Sequence, residues 1–106
     1  MMSESNMMRG LKSVAQKVLP SHVQAYLYGS RARGDAHEGS DWDILLVFDK
    51  DIIEQSDYDE ISYPFTLFGW EKGENVIPVL FTKKEWESNY YTTFNQNVEH
   101  DRIPIA

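Results

Sequence analysis

The chain of 106 residues contains no cysteine, which excludes disulfide bonds and thiolate metal sites. Any metal must then be bound by oxygen or imidazole ligands, which favours Mg²⁺ or Mn²⁺ over zinc. The three histidines, His22, His37 and His100, lie far apart and lack the spacing of a metal site, so we interpret them as structural or surface residues. The length leaves room for one modest core, and we expect a single domain over residues 1–106.

Basic residues are also scarce. Ten Lys and Arg stand against seventeen Asp and Glu, which gives a net charge of −7. A protein that holds long DNA or RNA regardless of its sequence needs a basic surface, so we expect no long nucleic acid as a partner. A mononucleotide is still compatible with this charge, because the metal that it carries offsets the phosphate charge.

Long apolar runs are absent as well. No stretch approaches the roughly 20 apolar residues that a membrane-spanning helix needs, and residues 1–10 lack the basic and apolar segments of a signal peptide. We therefore expect a cytoplasmic protein without a membrane segment.

Hydrophobic periodicity predicts alternating helices and strands. Helices are expected over 7–18, 30–33 and 57–70 and from Thr82 onwards, with strands over 23–28, 42–48 and 76–81 and a short edge strand at 103–105. Pro64 should kink the third helix or break it near Tyr63. Thr82 and Glu85 have the spacing of a capping box. This order predicts an α/β (α+β) fold, a small mixed β-sheet with flanking helices.

A turn from strand to helix at Gly29 and Ser30 has the features of a phosphate site. Gly29 has no Cβ, so its backbone can approach a ligand closely. Ser30 opens a short helix, whose free N–H groups attract anions. Arg31 and Arg33 could add positive charge at the same place.

Two aspartates follow at the start of the next strand. Asp41 and Asp43 are two residues apart, which predicts that both point to one face of the sheet with Cα atoms about 7 Å apart. Such a pair can bind one metal ion, or two ions roughly 4 Å apart. A phosphate site beside a carboxylate pair is what transfer from a nucleoside triphosphate requires.

These residues resemble a known family signature. The DNA polymerase β-like nucleotidyltransferases carry Gly-Ser, ten residues, then Asp-x-Asp, and here Gly29-Ser30 is followed by ten residues ending at Ser40 and then Asp41-Trp42-Asp43. The segment from Tyr26 to Val47 resembles especially the minimal nucleotidyltransferases, including the antitoxins of MNT–HEPN pairs.

The resemblance implies a nucleotidyltransferase fold in which Gly29, Ser30 and Ser40 lie at the nucleotide and Asp41 and Asp43 hold Mg²⁺. The implied reaction transfers a nucleoside monophosphate to an acceptor hydroxyl and releases pyrophosphate. Minimal members are often paired with a small helical protein, and some adenylylate a tyrosine on it. ATP is accordingly the favoured donor.

One feature departs from the family pattern. Family members normally carry a third carboxylate on a later strand, and alignment places that position near Ile77 or Pro78, which cannot act as ligand or base. Glu74 is the nearest acid and our candidate for this catalytic role, and Glu71 is the next.

Each of these residues also has a structural explanation. Gly29 and Ser30 could be only a turn and a helix cap, and Asp41 and Asp43 a loop end and a water-facing strand residue. Arg31 and Arg33 could be surface residues. Three tryptophans are expected to pack in the core or at its edge, although one near the site could stack on a base: Trp42, Trp70 and Trp86.

Two functions therefore remain open at this point. The first is an Mg²⁺-dependent nucleotidyltransferase that transfers AMP to a hydroxyl, with a tyrosine of a HEPN-type partner as one candidate acceptor. The alternative is a catalytically weak or inactive antitoxin-like protein that binds nucleotide and a HEPN-type partner. An exposed sheet edge and many aromatic residues are compatible with a homodimer.

Overall fold

The computed structural model describes residues 3–88 and 92–106. Six helices are formed by the described residues: α1 Glu4–Val18, α2 Ser30–Arg33, α3 Gln55–Asp57, α4 Tyr63–Glu71, α5 Lys83–Ser88 and α6 Thr93–Asp101. A π-helical turn at Tyr58–Ser62 joins α3 to α4. The strands are β1 Val23–Tyr28, β2 Trp42–Phe48, β3 Val76–Thr82 and β4 Ile103–Pro104.

The four strands form one mixed sheet in the order β3-β2-β1-β4. Strand β1 runs antiparallel to both β2 and β4, and β2 runs parallel to β3. The prediction of an α+β fold with a small mixed sheet and flanking helices is therefore confirmed, as is the edge position of the last strand.

Strand β2 is buried on both faces of the sheet, as its nearly continuous apolar run predicted. On one face, Ile44 and Leu46 belong to a core that includes Met7 of α1 and Phe65 of the helix following β2. On the other face, Leu45 and Val47 belong to a smaller core. Trp86 of α5 and Val98 of α6 complete that second core. Residue alternation along β2 thus decides which side chain faces which helical layer.

Local capping explains where two helices begin. Helix α1 starts at Glu4 rather than at Met7, because the Ser3 side chain accepts a hydrogen bond from the Asn6 N–H. The capping box predicted before α5 is confirmed. The Thr82 N–H donates to the Glu85 carboxylate at 2.8 Å, and the Glu85 N–H donates to the Thr82 hydroxyl at 3.0 Å.

The irregularity expected in the helix over 57–70 is a wider helical turn just before Pro64 rather than a break near Tyr63. Helical backbone instead runs from Gln55 to Glu71 and widens into the π-helical turn just before Pro64. The Tyr63 N–H donates to the Tyr58 carbonyl, five residues back. A proline lacks the N–H and crowds the carbonyl four residues earlier, so a wider turn accommodates it without ending the helix.

The end of the chain is more regular than its sequence suggests. Helix α6 spans Thr93–Asp101, and the Thr92 side chain caps it by accepting from the Asn95 N–H. The helix buries only Asn95 and Val98, which explains its weak hydrophobic pattern. Across the described residues, no helix is long and apolar enough to span a membrane.

Asp57 connects the start of the helical backbone that runs from Gln55 to Glu71 with the loop that follows β2. Its side chain is only 7% exposed. One carboxylate oxygen accepts from the Glu54 N–H at 2.8 Å and lies 2.9 Å from Lys50 Nζ. Burial alone would raise the pKa of Asp57, but the Glu54 N–H and the Lys50 ammonium outweigh it and hold the pKa below its ordinary value.

We predict that Asp57→Asn lowers the free energy of unfolding by about 1 kcal/mol at pH 7, because two charge-assisted hydrogen bonds are weakened. A lowered pKa in the folded state means that this stabilisation is present above about pH 4 and is lost as the pH falls through the folded pKa. Urea unfolding at pH 7 and at about pH 3 measures the loss of unfolding free energy at each pH, which should be smaller at pH 3. The exposed Asp59→Asn is the matched control, and an equal loss at both pH values contradicts the prediction.

Candidate functional site

Gly29 directly follows β1 and has a backbone conformation that only glycine adopts without strain. Its φ is +77°, and a Cβ built on it would lie 2.5 Å from the Asp43 Oδ2 atom. Any side chain at position 29 would therefore collide with the carboxylate. The backbone then turns into α2, where the N–H groups of Ala32 and Arg33 both donate to the Gly29 carbonyl at 3.0 Å. The turn brings backbone and carboxylate into direct contact.

Asp43 lies on β2, between the neighbouring strands β1 and β3. Its register partners are Tyr28 on β1 and Ile77 on β3. It shares its face of the sheet with Leu45, since residues two apart on a strand point the same way. The Asp43 side chain is half-buried.

Asp41 lies one residue before β2 begins, so it is a loop-end residue rather than part of the strand. Its Oδ1 atom accepts a hydrogen bond from the Asn75 side-chain amide at 3.0 Å. The carboxylate is otherwise exposed. This bond holds Asp41 against the loop that leads into β3.

The electrostatics of the pair favour a bound cation. Burial raises the pKa of Asp43, the nearby Asp41 carboxylate raises it further, and Arg33 opposes them. The pKa of Tyr28 is raised to about 12, first by burial and second by the negative charge of Asp43. Two carboxylates that repel each other and present only oxygen atoms suit Mg²⁺ or Mn²⁺.

The pair does not form a complete metal site by itself. No group of three or more metal-ligating side chains comes together within residues 3–88 and 92–106. A divalent ion held by Asp41 and Asp43 would therefore take its other ligands from water or from the phosphates of a nucleotide, as Mg²⁺ commonly does.

Arg33 lies on the same side of the molecule as the pair. Its side chain is 45% exposed, and its guanidinium contacts Asp35 at 3.2 Å and Asp101 of α6 at 3.0 Å. Its charge acts on Asp43. Arg33 therefore lies near the aspartates, as expected, and a phosphate could approach its guanidinium.

Arg31 is not brought to the aspartate pair. Its side chain is 8% exposed, and its guanidinium lies 4.5 Å from the centre of the Trp42 ring. Nε and Nη2 donate to the Ser40 carbonyl at 3.3 and 3.0 Å, and Nη1 contacts Glu4 at 3.2 Å. Because Trp42 points to the opposite face from Asp43, Arg31 binds the loop before β2 rather than facing the carboxylates.

Ser40 also acts within this loop. Its hydroxyl accepts from the His37 N–H at 3.1 Å, and its carbonyl receives the Arg31 guanidinium. Both contacts shape the backbone that leads into Asp41. The structure thus gives Ser40 a role in loop conformation next to the site.

Glu74 lies apart from the aspartate pair, on the side of the sheet that carries Trp42. Its Oε1 atom accepts from Trp42 Nε1 at 2.9 Å and lies 3.6 Å from Arg31 Nη2. The side chain is 11% exposed. Its contacts with Trp42 and Arg31 explain why it is not directed towards Asp43, although it is the nearest acid in the sequence.

Ile77 occupies the position beside Asp43 where a third carboxylate was expected. The parallel register pairs Asp43 with Ile77 and Ile44 with Pro78, so Pro78 faces the other side of the sheet. Ile77 is 37% exposed. The sequence left Ile77 and Pro78 as alternatives for the position of the third carboxylate, and the register shows that Ile77 is the one beside Asp43.

Three further residues at or near this site were not singled out by the sequence. Tyr28 pairs with Asp43 and could have been found from strand alternation. Phe94 contacts Tyr28 from α6, with the ring centres 5.8 Å apart. Nothing in the sequence indicated that Asn75 would hold Asp41.

Comparisons with solved structures agree with this architecture. A Sulfolobus solfataricus protein provisionally assigned as a nucleotidyltransferase superimposes with a TM-score of 0.63 at 24% identity, over 95% of this chain and 80% of its own. A toxin–antitoxin crystal structure with AMP-PNP superimposes with a TM-score of 0.64 at 18% identity, over 93% of this chain and 72% of its own. At these identities the likeness establishes a shared fold.

Sequence comparison identifies the family. No match is found among curated proteins. The profile of the family described as "Nucleotidyltransferase domain" matches residues 7–90, which include Gly29, Ser30, Asp41 and Asp43. Because the match extends over most of the chain, the protein belongs to the nucleotidyltransferase-domain family.

Proposed function

We propose that the chain binds a nucleoside triphosphate together with Mg²⁺ or Mn²⁺ and transfers its nucleoside monophosphate to an acceptor hydroxyl. ATP is the first donor to test, because one protein of the same fold was crystallised with AMP-PNP, an analogue of ATP. The transferred group would then be AMP.

The contact between Gly29 and Asp43 is the observation that carries this proposal. It brings the backbone at the start of α2 beside the half-buried carboxylate of Asp43. The negative charge of Asp41 repels that carboxylate, so a cation between them is favourable. Free N–H groups at the start of a helix bind phosphate, and two carboxylates bind a cation. A metal-bound triphosphate satisfies both halves of the site.

Each residue has a defined part in the proposed reaction. Backbone N–H groups near Gly29 and Ser30 hold phosphate oxygens, and Arg33 adds charge once a phosphate competes with Asp35 and Asp101. Asp41 and Asp43 would hold the metal, which would neutralise charge on the phosphates. The acceptor oxygen forms a bond to the α-phosphorus, the bond to the pyrophosphate oxygen breaks, and the hydroxyl proton passes to water.

A protein is the acceptor that we favour. The solved toxin–antitoxin complex shows that a chain of this fold occurs in a two-component assembly. A tyrosine on a helical HEPN-type partner is the first such acceptor to test. A phenol is also more acidic than an aliphatic alcohol, so it depends less on a strong general base.

We predict that Asp43→Asn abolishes stabilisation by Mg·ATP. A ligand at 100 times its dissociation constant stabilises the wild type by about 2.7 kcal/mol, which a thermal-shift titration with and without Mg²⁺ detects. The unliganded variant should be at least as stable as the wild type, because the substitution removes repulsion from Asp41. Asp49→Asn, at the far end of β2, is the control. Unchanged Mg·ATP stabilisation in Asp43→Asn would contradict the metal assignment.

Ile77 specifically favours a second function, nucleotide binding without efficient transfer. The residue beside Asp43 cannot accept a proton, so an antitoxin-like protein that binds nucleotide and a partner is consistent with the same geometry. Both functions share the nucleotide site. They differ in the rate of the chemical step.

Substituting Ile77 separates these functions. We predict that Ile77→Asp increases the slow conversion of Mg·ATP to AMP and pyrophosphate, with water as acceptor, on the order of a hundredfold, the range for one general base. Ile77→Asn has nearly the same shape and should leave the rate unchanged, and Mg·ATP affinity should persist in both variants. Pyrophosphate release measures the rate. If both variants match the wild type, the absence of a carboxylate at position 77 does not limit the reaction.

A further inference from the structure

Four aromatic rings cover the sheet face that carries Asp43. Phe94 of α6 lies at their centre, with ring centres 5.8 Å from Tyr28, 6.1 Å from Trp86 and 6.4 Å from Phe81. The Tyr28 and Trp86 rings are nearly perpendicular to it, at 88° and 86°. Contacts from β1, β3 and α5 therefore hold the Phe94 ring in one orientation.

Phe94 is nevertheless 43% exposed, while its neighbour Trp86 is buried. A ring that packs against three others and still presents almost half of its surface is a rigid apolar platform. Ile77, beside Asp43, is 37% exposed on the same face of the sheet. Apolar surface is thus retained beside the Asp43 carboxylate, although burial of these side chains in the core would have been more favourable.

Tyr28 connects this platform to the phosphate site. It directly precedes Gly29 and pairs with Asp43 across the strands. Phe94 contacts the Tyr28 ring, so one side chain, that of Tyr28, lies between Phe94 and the strand position of Asp43. When the phosphates lie at Gly29 and Asp43, the base of the same nucleotide can reach an aromatic surface that begins one side chain away.

We propose that Phe94 is the stacking platform for the base of the bound nucleotide. This inference rests on the proposed function, because the phosphates must occupy the site at Gly29 and Asp43. Stacking on an aromatic ring tolerates any base, and its strength increases with the area of the base. The rings around Phe94 recognise the π-face of a base rather than its edge, so purine nucleotides bind more tightly than pyrimidine nucleotides, with little distinction between adenine and guanine.

Affinities for Mg·ATP, Mg·GTP, Mg·UTP, Mg·CTP and Mg·tripolyphosphate test this proposal. In the wild type, both purine nucleotides should bind more tightly than both pyrimidine nucleotides, and tripolyphosphate should bind most weakly. Phe94→Leu retains apolar bulk but removes the ring, so Mg·ATP should weaken on the order of tenfold while tripolyphosphate is unchanged. Phe94→Tyr retains the ring and should restore Mg·ATP affinity.

The outcomes distinguish failure of base stacking from failure of the proposed function. Tripolyphosphate binding with no preference for any base in the wild type overturns the stacking role and leaves the proposed function standing. Equal weakening of Mg·ATP and tripolyphosphate in Phe94→Leu also overturns it, as does unchanged Mg·ATP affinity in a variant that instead loses binding to a protein partner. If the wild type binds neither ligand, the proposed function fails and the stacking role with it. The ranking in the wild type requires no variant to fold.

Discussion

The close contact between Gly29 and Asp43 is the constraint on which the site depends. A Cβ at position 29 would lie 2.5 Å from the Asp43 carboxylate, so β1 can turn into α2 beside β2 only if residue 29 is glycine. Asp43 is held at this position by the register of β2 with both of its neighbours. Because the two cores on opposite faces bury the remainder of β2, the carboxylate cannot shift along the sheet without exposing apolar surface.

Alternation along β2 then separates a structural cluster from a chemical one. Trp42 faces the core of α1 and α4, and its indole N–H and ring engage Glu74 and Arg31. Asp43 faces the opposite side, next to Tyr28 and Ile77. Charged residues close together in the sequence therefore have different roles. Arg31 and Glu74 support the loop before β2, while Arg33 and Asp41 act electrostatically on Asp43.

Periodicity and motif spacing predicted the sheet, most helices and the proximity of Gly29, Asp41 and Asp43, because those features depend on local sequence. Strand register and side-chain partners are determined by tertiary packing, and sequence reasoning could not reach them. Glu74 is close to β3 in the sequence, yet the Trp42 indole N–H engages it on the other face. Ile77 and Pro78 could be distinguished only by the parallel register. Phe94 was missed because α6 buries few residues and shows little periodicity.

The proposed function requires that the backbone at Gly29 and Ser30 and the carboxylates of Asp41 and Asp43 together bind a metal-bound triphosphate. The most direct test is an amide ¹H–¹⁵N NMR titration of the wild type with ATP, in the presence and absence of Mg²⁺. We expect the largest chemical-shift changes at Gly29, Ser30 and Asp43, only when Mg²⁺ is present, with residues of α1 unaffected. Mg²⁺-independent changes, or changes confined to residues remote from the end of β1, would contradict it.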